Sequence, residues 1–159
     1  MIKKLLVAID ASEAAASAVR AAEQIALQLG GELVILHVVD VASVTTAADG
    51  IHRFQPTIDE MRRAGQALLN NTRARIALDL DVTLLLLEGD PADTIVGAAA
   101  AQNADLIVIG TDSRGRLAHF LLGSTTDSVI RRAGCPVLAA RRDVKQTASH
   151  EQHRAGAVA

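Results

Sequence analysis

Aromatic residues are nearly absent from this sequence of 159 residues, which has two phenylalanines and neither tryptophan nor tyrosine. Proteins that hold single-stranded nucleic acid stack its bases on aromatic side chains, so this kind of partner is disfavoured. Half of the residues are hydrophobic, and the core must therefore be built from Leu, Ile, Val and Ala. Runs of such residues are typical of helices packed on a buried sheet.

The sequence also lacks an excess of charge, a cysteine pair and a long apolar segment. With 16 Lys and Arg against 18 Asp and Glu, the formal net charge of −2 favours neither nucleic acid nor an anionic membrane as a partner. The single cysteine, Cys135, cannot form an internal disulfide, which agrees with a reducing compartment. We find no signal-peptide pattern and no membrane-spanning run. We therefore expect a cytoplasmic protein whose partners are small molecules or proteins.

Short apolar runs alternate with helical patterns along most of the chain. Strands are predicted at residues 4–9, 32–39, 82–87, 106–109 and 136–140. Helices are predicted at residues 13–29, from a capping box at Thr57 to about Leu78, at 91–102 and at 124–132. Because parallel strands need crossover helices, the pattern predicts an α/β fold with three layers: an open, mainly parallel five-stranded sheet with helices on both faces.

Two segments lack these patterns. Residues 40–56 have no clean hydrophobic period and are predicted to form a surface loop. Residues 143–159 have almost no large apolar side chain, so we expect a disordered tail. The domain is therefore expected to comprise residues 1–142.

The main functional pattern follows the fourth predicted strand. The chain passes Gly110 into a loop that contains Ser113 and Arg114, and Gly123-Ser124 begins the last helix. Glycines let a ligand approach the backbone, and the N–H groups of a loop and a helix N-terminus attract anions. The layout predicts a phosphate-binding site, although it contains no Walker A motif.

The order and spacing of several motifs resemble those of the universal stress proteins, up to Arg142. These motifs are LVAIDAS at residues 6–12, LHVV at 36–39, EGDPADTI at 88–95, ADLIVIGT at 104–111, LLGST at 121–125 and CPVL at 135–138. The resemblance implies a Rossmann-like fold similar to that of adenine-nucleotide hydrolases, often a homodimer, with an ATP-binding branch marked by G-x2-G-x9-G-[ST].

The chain departs from that mark at one position. Gly110, Gly123 and Ser124 match it, but Ser113 replaces the second glycine and an extra glycine follows at Gly115. If the backbone there needs a positive φ, a serine costs roughly 1–2 kcal/mol. If only an N–H group is needed, serine serves as well and adds a hydroxyl.

The resemblance implies roles for further residues, each with a structural alternative. Ala8 and Val38 would line the adenine, or form plain core. Asp10 would accept hydrogen bonds from the ribose, or complement the dipole of the first helix. The remaining candidates would contact phosphate, or would be a solvated arginine and ordinary cap residues; they are Thr111, Ser113, Arg114, Ser124 and Thr125.

The expected function is that of a stress-response sensor or regulator that binds ATP or a related adenine nucleotide, with Mg²⁺ held weakly through Asp10 or Asp112. A homodimer is expected through the open edge of the last strand, where Leu138 is a candidate paired position. Two alternatives remain open: a nucleotide-free dimeric interaction protein, and an enzyme that slowly hydrolyses ATP or transfers phosphoryl or adenylyl groups. His37 is expected to be a packed, hydrogen-bonded histidine and Cys135 a small buried residue.

Overall fold

The computed structural model describes residues 1–41, 56–111 and 123–141, in which strands and helices alternate. The elements are β1 (Lys4–Ala8), α1 (Glu13–Leu29), β2 (Glu32–Val39), α2 (Ile58–Arg73), β3 (Val82–Glu88), α3 (Pro91–Ala101), β4 (Leu106–Thr111), α4 (Ser124–Arg132) and β5 (Val137–Arg141). Most of the predicted loop at 40–56 and the whole predicted tail at 143–159 lie outside the described residues.

All five strands belong to one parallel sheet with the order β3-β2-β1-β4-β5. The predicted α/β fold class is therefore confirmed. The chain builds outward from β1 to β3, returns across the sheet, and adds β4 and β5 on the other side of β1. This reversal of strand order lies between β1 and β4, where open α/β sheets bind ligands.

The central strands are buried on both faces, and their side chains alternate between two cores. Leu5 and Val7 of β1 pack with α1 and α2, whereas Leu6 and Ala8 pack with α3 and α4. Alanines dominate the buried side of α1, at positions 14, 15, 18, 22 and 26. Their small side chains let this helix lie close to the sheet, which explains how a core without aromatic residues is filled.

Helix α2 ends at Arg73, so the prediction that it continues to about Leu78 is wrong. The N–H of Ile76 donates to the carbonyl of Arg73 at 3.2 Å, a tight turn rather than a helical bond. The next N–H, of Ala77, donates to Glu23 Oε1 of α1 at 2.8 Å. The turn buries Ile76, which is 4% exposed, in the core beside α1. Tertiary packing thus ends a helix that its local sequence could have continued.

The other predicted boundaries agree to within two residues. Ser12 caps α1, and Gly30 ends it in the left-handed conformation at φ 60°. The capping box between Thr57 and Glu60 is also present. Among the described helices, none combines the length and the apolar character needed to cross a membrane.

Candidate functional site

A cavity of about 400 Å³ opens at the carboxyl ends of β1 and β4, where the strand order reverses. Its volume falls within the range of roughly 300–1,000 Å³ that is usual for small-molecule sites. Its walls come from the ends of β1, β2 and β4 and from the first turns of α1, α3 and α4. Three helix N-termini therefore converge on one cavity.

Most of the residues that the sequence predicts for the site lie in the cavity walls; they are Ala8, Asp10, Val38, Gly110, Gly123, Ser124 and Thr125. Thr111 does not line the cavity. It is 6% exposed, and its hydroxyl lies 3.4 Å from the carbonyl oxygen of Ala140 in β5. Ser113 and Arg114 lie outside the described residues, as does Asp112, so the effect of the missing glycine stays a prediction.

One wall of the cavity is apolar. Ala8 and Ile109 are direct register partners on β1 and β4, and Ile95 of α3 belongs to the same buried cluster. Val38 packs at the margin of that cluster. These side chains are core residues and cavity residues at once, so the two interpretations of Ala8 and Val38 are compatible. The wall suits a flat apolar group.

Asp10 lies in the loop between β1 and α1. Its Oδ1 accepts the N–H of Ser12 at 2.9 Å, and Ser12 Oγ in turn accepts the N–H of Ala15 at 3.1 Å. The carboxylate thus shapes the loop that caps α1. A carboxylate has two oxygens with several acceptor sites, so Asp10 can also accept hydrogen bonds from a ligand.

Helix α4 differs from the other described helices at its N-terminus. Ser12, Thr57 and Asp90 each cap their helices with a side-chain oxygen, but the cap of α4 is Gly123, which makes no such bond. A Cβ atom at Gly123 would meet nothing within 4 Å. Ser124, Thr125 and Thr126 of the first turn of α4 line the cavity, so the positive end of the helix dipole lies at its wall.

Gly110 has a role that the sequence does not reveal. A Cβ atom there would lie 2.4 Å from the carbonyl carbon of Ala14 and 2.6 Å from its oxygen. The backbone of β4 therefore touches the first turn of α1, and only glycine allows this contact. The sequence predicts that this glycine lets a ligand approach the backbone, which stays a prediction, and the structure adds a packing requirement.

Several residues in the cavity wall escape prediction from sequence, including Ile9, His37, Pro91, Ile95 and Thr126. Their shared signal is position, because each lies at a strand end or in the first turns of a helix. His37 is hydrogen-bonded as expected, with Nδ1 2.8 Å from the carbonyl oxygen of Ile9. Within the described residues, no group of three or more His, Cys, Asp or Glu side chains could hold a metal ion.

Cys135 lies before β5, among the residues packed around the α3–α4 core. The sequence predicts a buried cysteine, but the side chain is only half-buried. Burial raises the pKa of its thiol, and the negative charge of Asp105 raises it further. A hydrogen bond with the backbone of Ile107 lowers the pKa but does not cancel the rise. Little thiolate is therefore present at neutral pH.

Comparison with known proteins agrees with this geometry. Universal stress protein YxiE of Bacillus subtilis is 34% identical over 148 residues, which cover 89% of this chain and all of that protein. The solved structure of MJ0577 from Methanocaldococcus jannaschii superposes with a TM-score of 0.73 at 25% identity, over 90% of this chain and 98% of that one. A universal stress protein solved in complex with cAMP gives a TM-score of 0.65 at 27% identity, over 89% and 98%.

The family model agrees with these pairwise comparisons and covers all of the described residues. It matches residues 1–141, from the start of the sequence to the last residue of β5. The chain therefore belongs to the universal stress protein family.

Proposed function

We propose that this protein binds an adenine nucleotide, ATP with Mg²⁺, in the cavity at the ends of β1 and β4, and that it acts as a regulator in the cytoplasmic stress response. The observation that carries the proposal is that the N-terminus of α4, which has no side-chain cap, lines the same cavity as an apolar wall. The helix N-terminus suits phosphate, and the apolar wall suits a base. The complex of a related universal stress protein with cAMP supports the same class of ligand.

The residues present fit such a ligand. Ala8, Val38 and Ile109 offer apolar surface for the adenine, and Asp10 offers carboxylate oxygens to the ribose hydroxyls. The first N–H groups of α4, at Ser124 and Thr125, offer donors to phosphate oxygens. ATP would bring a triphosphate whose oxygens, together with a carboxylate and water, are the ligands that Mg²⁺ prefers.

We also propose that the protein is a homodimer that pairs through β5. Within the described residues this strand pairs only with β4, so its other edge is open. Open edges expose unpaired N–H and carbonyl groups that a second strand can bind. Residues 1–142 would suffice for both nucleotide binding and pairing, and removal of residues 143–159 would change neither.

Calorimetric titration with ATP and Mg²⁺, together with mass spectrometry of small molecules released from the native protein, tests the proposed ligand. We expect binding in the micromolar to millimolar range. At ~100 times the Kd, the ligand should stabilise the fold by about 2.7 kcal/mol. GTP serves as the control, because it carries the same triphosphate on another base. Absence of both heat and thermal shift at millimolar ATP would reject nucleotide binding and favour a nucleotide-free interaction protein.

A further inference from the structure

The pairing of β1 with β2 stops at the edge of the cavity, where the side chain of His37 forms the next hydrogen bond in place of the backbone. The last register pair is Ala8 with Leu36, although β2 continues to Val39 beside β3. The N–H of Ile9 still donates to the carbonyl of Leu36 at 2.8 Å. The carbonyl of Ile9, however, lies 2.8 Å from Nδ1 of His37, its would-be register partner.

The contact defines the protonation of the ring. A backbone carbonyl oxygen can only accept a hydrogen bond, so Nδ1 of His37 must carry the hydrogen. In the neutral imidazole, Nε2 is then the bare nitrogen. The hydrogen bond replaces the one that the N–H of Val38 would donate to Ile9 if the parallel ladder continued.

This replacement has two consequences for the cavity. The carbonyl of Ile9 belongs to the peptide group that leads into Asp10, so the imidazole fixes the plane from which the Asp10 loop starts. The backbone of Val38 is directed toward β1, as that of Leu36 is, because alternate residues of a strand face the same neighbour. Val38 also lines the cavity, so the place where its N–H loses the Ile9 carbonyl as a ladder partner lies at the cavity wall.

The imidazole of His37 packs against Gly65 of α2. A Cβ atom at Gly65 would lie 2.5 Å from Cδ2 of His37, 3.1 Å from its Nε2 and 2.8 Å from Cδ1 of Leu86. Gly65 is buried inside α2, where glycine is an unfavourable residue. The glycine therefore provides the room that the ring needs to stay against Ile9.

We propose that His37 is a positioning residue of the nucleotide site. Its Nδ1–H donates to the carbonyl of Ile9, which ends the β1–β2 pairing beside Val38 and fixes the start of the loop that contains Asp10. Gly65 contributes to this positioning, because its lack of a side chain leaves room for the imidazole ring. This inference rests on the proposed function for its effect on affinity. The hydrogen bond itself can be tested without a nucleotide.

The first test compares His37→Asn with His37→Leu. Asparagine can offer an amide N–H in place of Nδ1–H, whereas leucine fills similar space without a donor. We expect His37→Leu to bind ATP about tenfold more weakly and His37→Asn to stay within about threefold of the parent, as the loss or retention of one hydrogen bond implies. Equal affinities of the parent and His37→Leu would overturn the proposal, as would equal losses in both folded variants.

The second test changes Gly65, which leaves room for the imidazole ring, and it has a matched control. Gly65→Ala forces the imidazole to move, whereas Gly97→Ala adds a methyl group in α3 where nothing lies within 4 Å. Both changes improve helix propensity, so only the first should weaken ATP binding. Unchanged ATP affinity in folded Gly65→Ala would contradict the role of Gly65 in positioning the ring.

NMR of the protein without nucleotide separates this inference from the proposed function. We expect the imidazole of His37 to be the Nδ1–H tautomer, and the amide of Ser12 to exchange about tenfold faster in His37→Leu than in the parent or His37→Asn. If these results hold while ATP does not bind, the proposed ligand fails and the positioning of the loop stands. An Nε2–H tautomer, or unchanged exchange at Ser12, would overturn the positioning role.

Discussion

At the scale of single residues, Asp105 ties the N-terminal strand to the start of β4. Its Oδ2 accepts the N–H of Lys3 at 2.8 Å and that of Lys4 at 3.0 Å, and its own N–H donates to the carbonyl of Lys4 at 2.8 Å. The two bonds to Oδ2 favour the ionised carboxylate and lower the pKa of Asp105 below its ordinary value. The depressed pKa couples the stability of the fold to pH in the acid range.

The lowered pKa of Asp105 predicts an acid-sensitive part of the free energy of unfolding. It is present above the unfolded pKa, about 3.9, and is lost as the pH falls through the lower pKa of the folded state. Asp105→Asn should remove this dependence and lower stability at neutral pH. Urea unfolding at a series of pH values measures it, with Asp79→Asn as the control because it removes the same charge from an exposed carboxylate. Parallel curves for the parent and Asp105→Asn would contradict the assignment.

At the scale of elements, the N-terminus of α4 combines stability and binding. An Asp side chain at position 123 would accept the N–H groups that Gly123 leaves open, and would place a negative charge in the cavity. We expect Gly123→Asp to keep or slightly raise the stability of the free protein, since glycine is only a few tenths of a kcal/mol worse as a cap. ATP affinity should fall about tenfold to hundredfold, as expected for losing a hydrogen bond to a charged group.

Gly134→Asp is the matched control for this element. It adds the same charge where a Cβ atom would also meet nothing within 4 Å, but it precedes β5 and lies outside the cavity wall. Calorimetry of both variants distinguishes a local effect from a change in net charge. Similar ATP affinities for Gly123→Asp and Gly134→Asp would contradict phosphate binding at α4.

The elements also show how far sequence reasoning reaches in this protein. Hydrophobic runs and caps predict the strands and most helix bounds, because those signals are local. The end of α2 was not predictable, since it depends on Ile76 entering a core beside α1 and on Ala77 bonding to Glu23. The contact between Gly110 and Ala14 was likewise invisible, because it joins two elements distant in sequence.

At the scale of the whole molecule, the register of the sheet decides which residues of β5 face the proposed dimer partner. The N–H of Ile107 donates to the carbonyl of Pro136 at 3.0 Å, and Ile107 is the register partner of Val137. In a parallel pair, the backbone groups of Leu138 must then also face β4. Those of Val137 and Ala139 face the open edge. Leu138, the position that the sequence suggests, is therefore not the one that would pair with a second copy.

Two proline substitutions test the dimer. Ala139→Pro removes an N–H from the open edge, where proline is tolerated, and should give a folded monomer. Leu138→Pro removes an N–H that bonds to β4 and should lower the free energy of unfolding. Light scattering at micromolar concentration measures the association, and urea unfolding measures the stability. A parent chain that is already a folded monomer would reject the dimer. A folded Ala139→Pro variant that dimerises as tightly as the parent would contradict pairing through β5, because residue 139 lies in the middle of that strand and its N–H should contribute to the pairing.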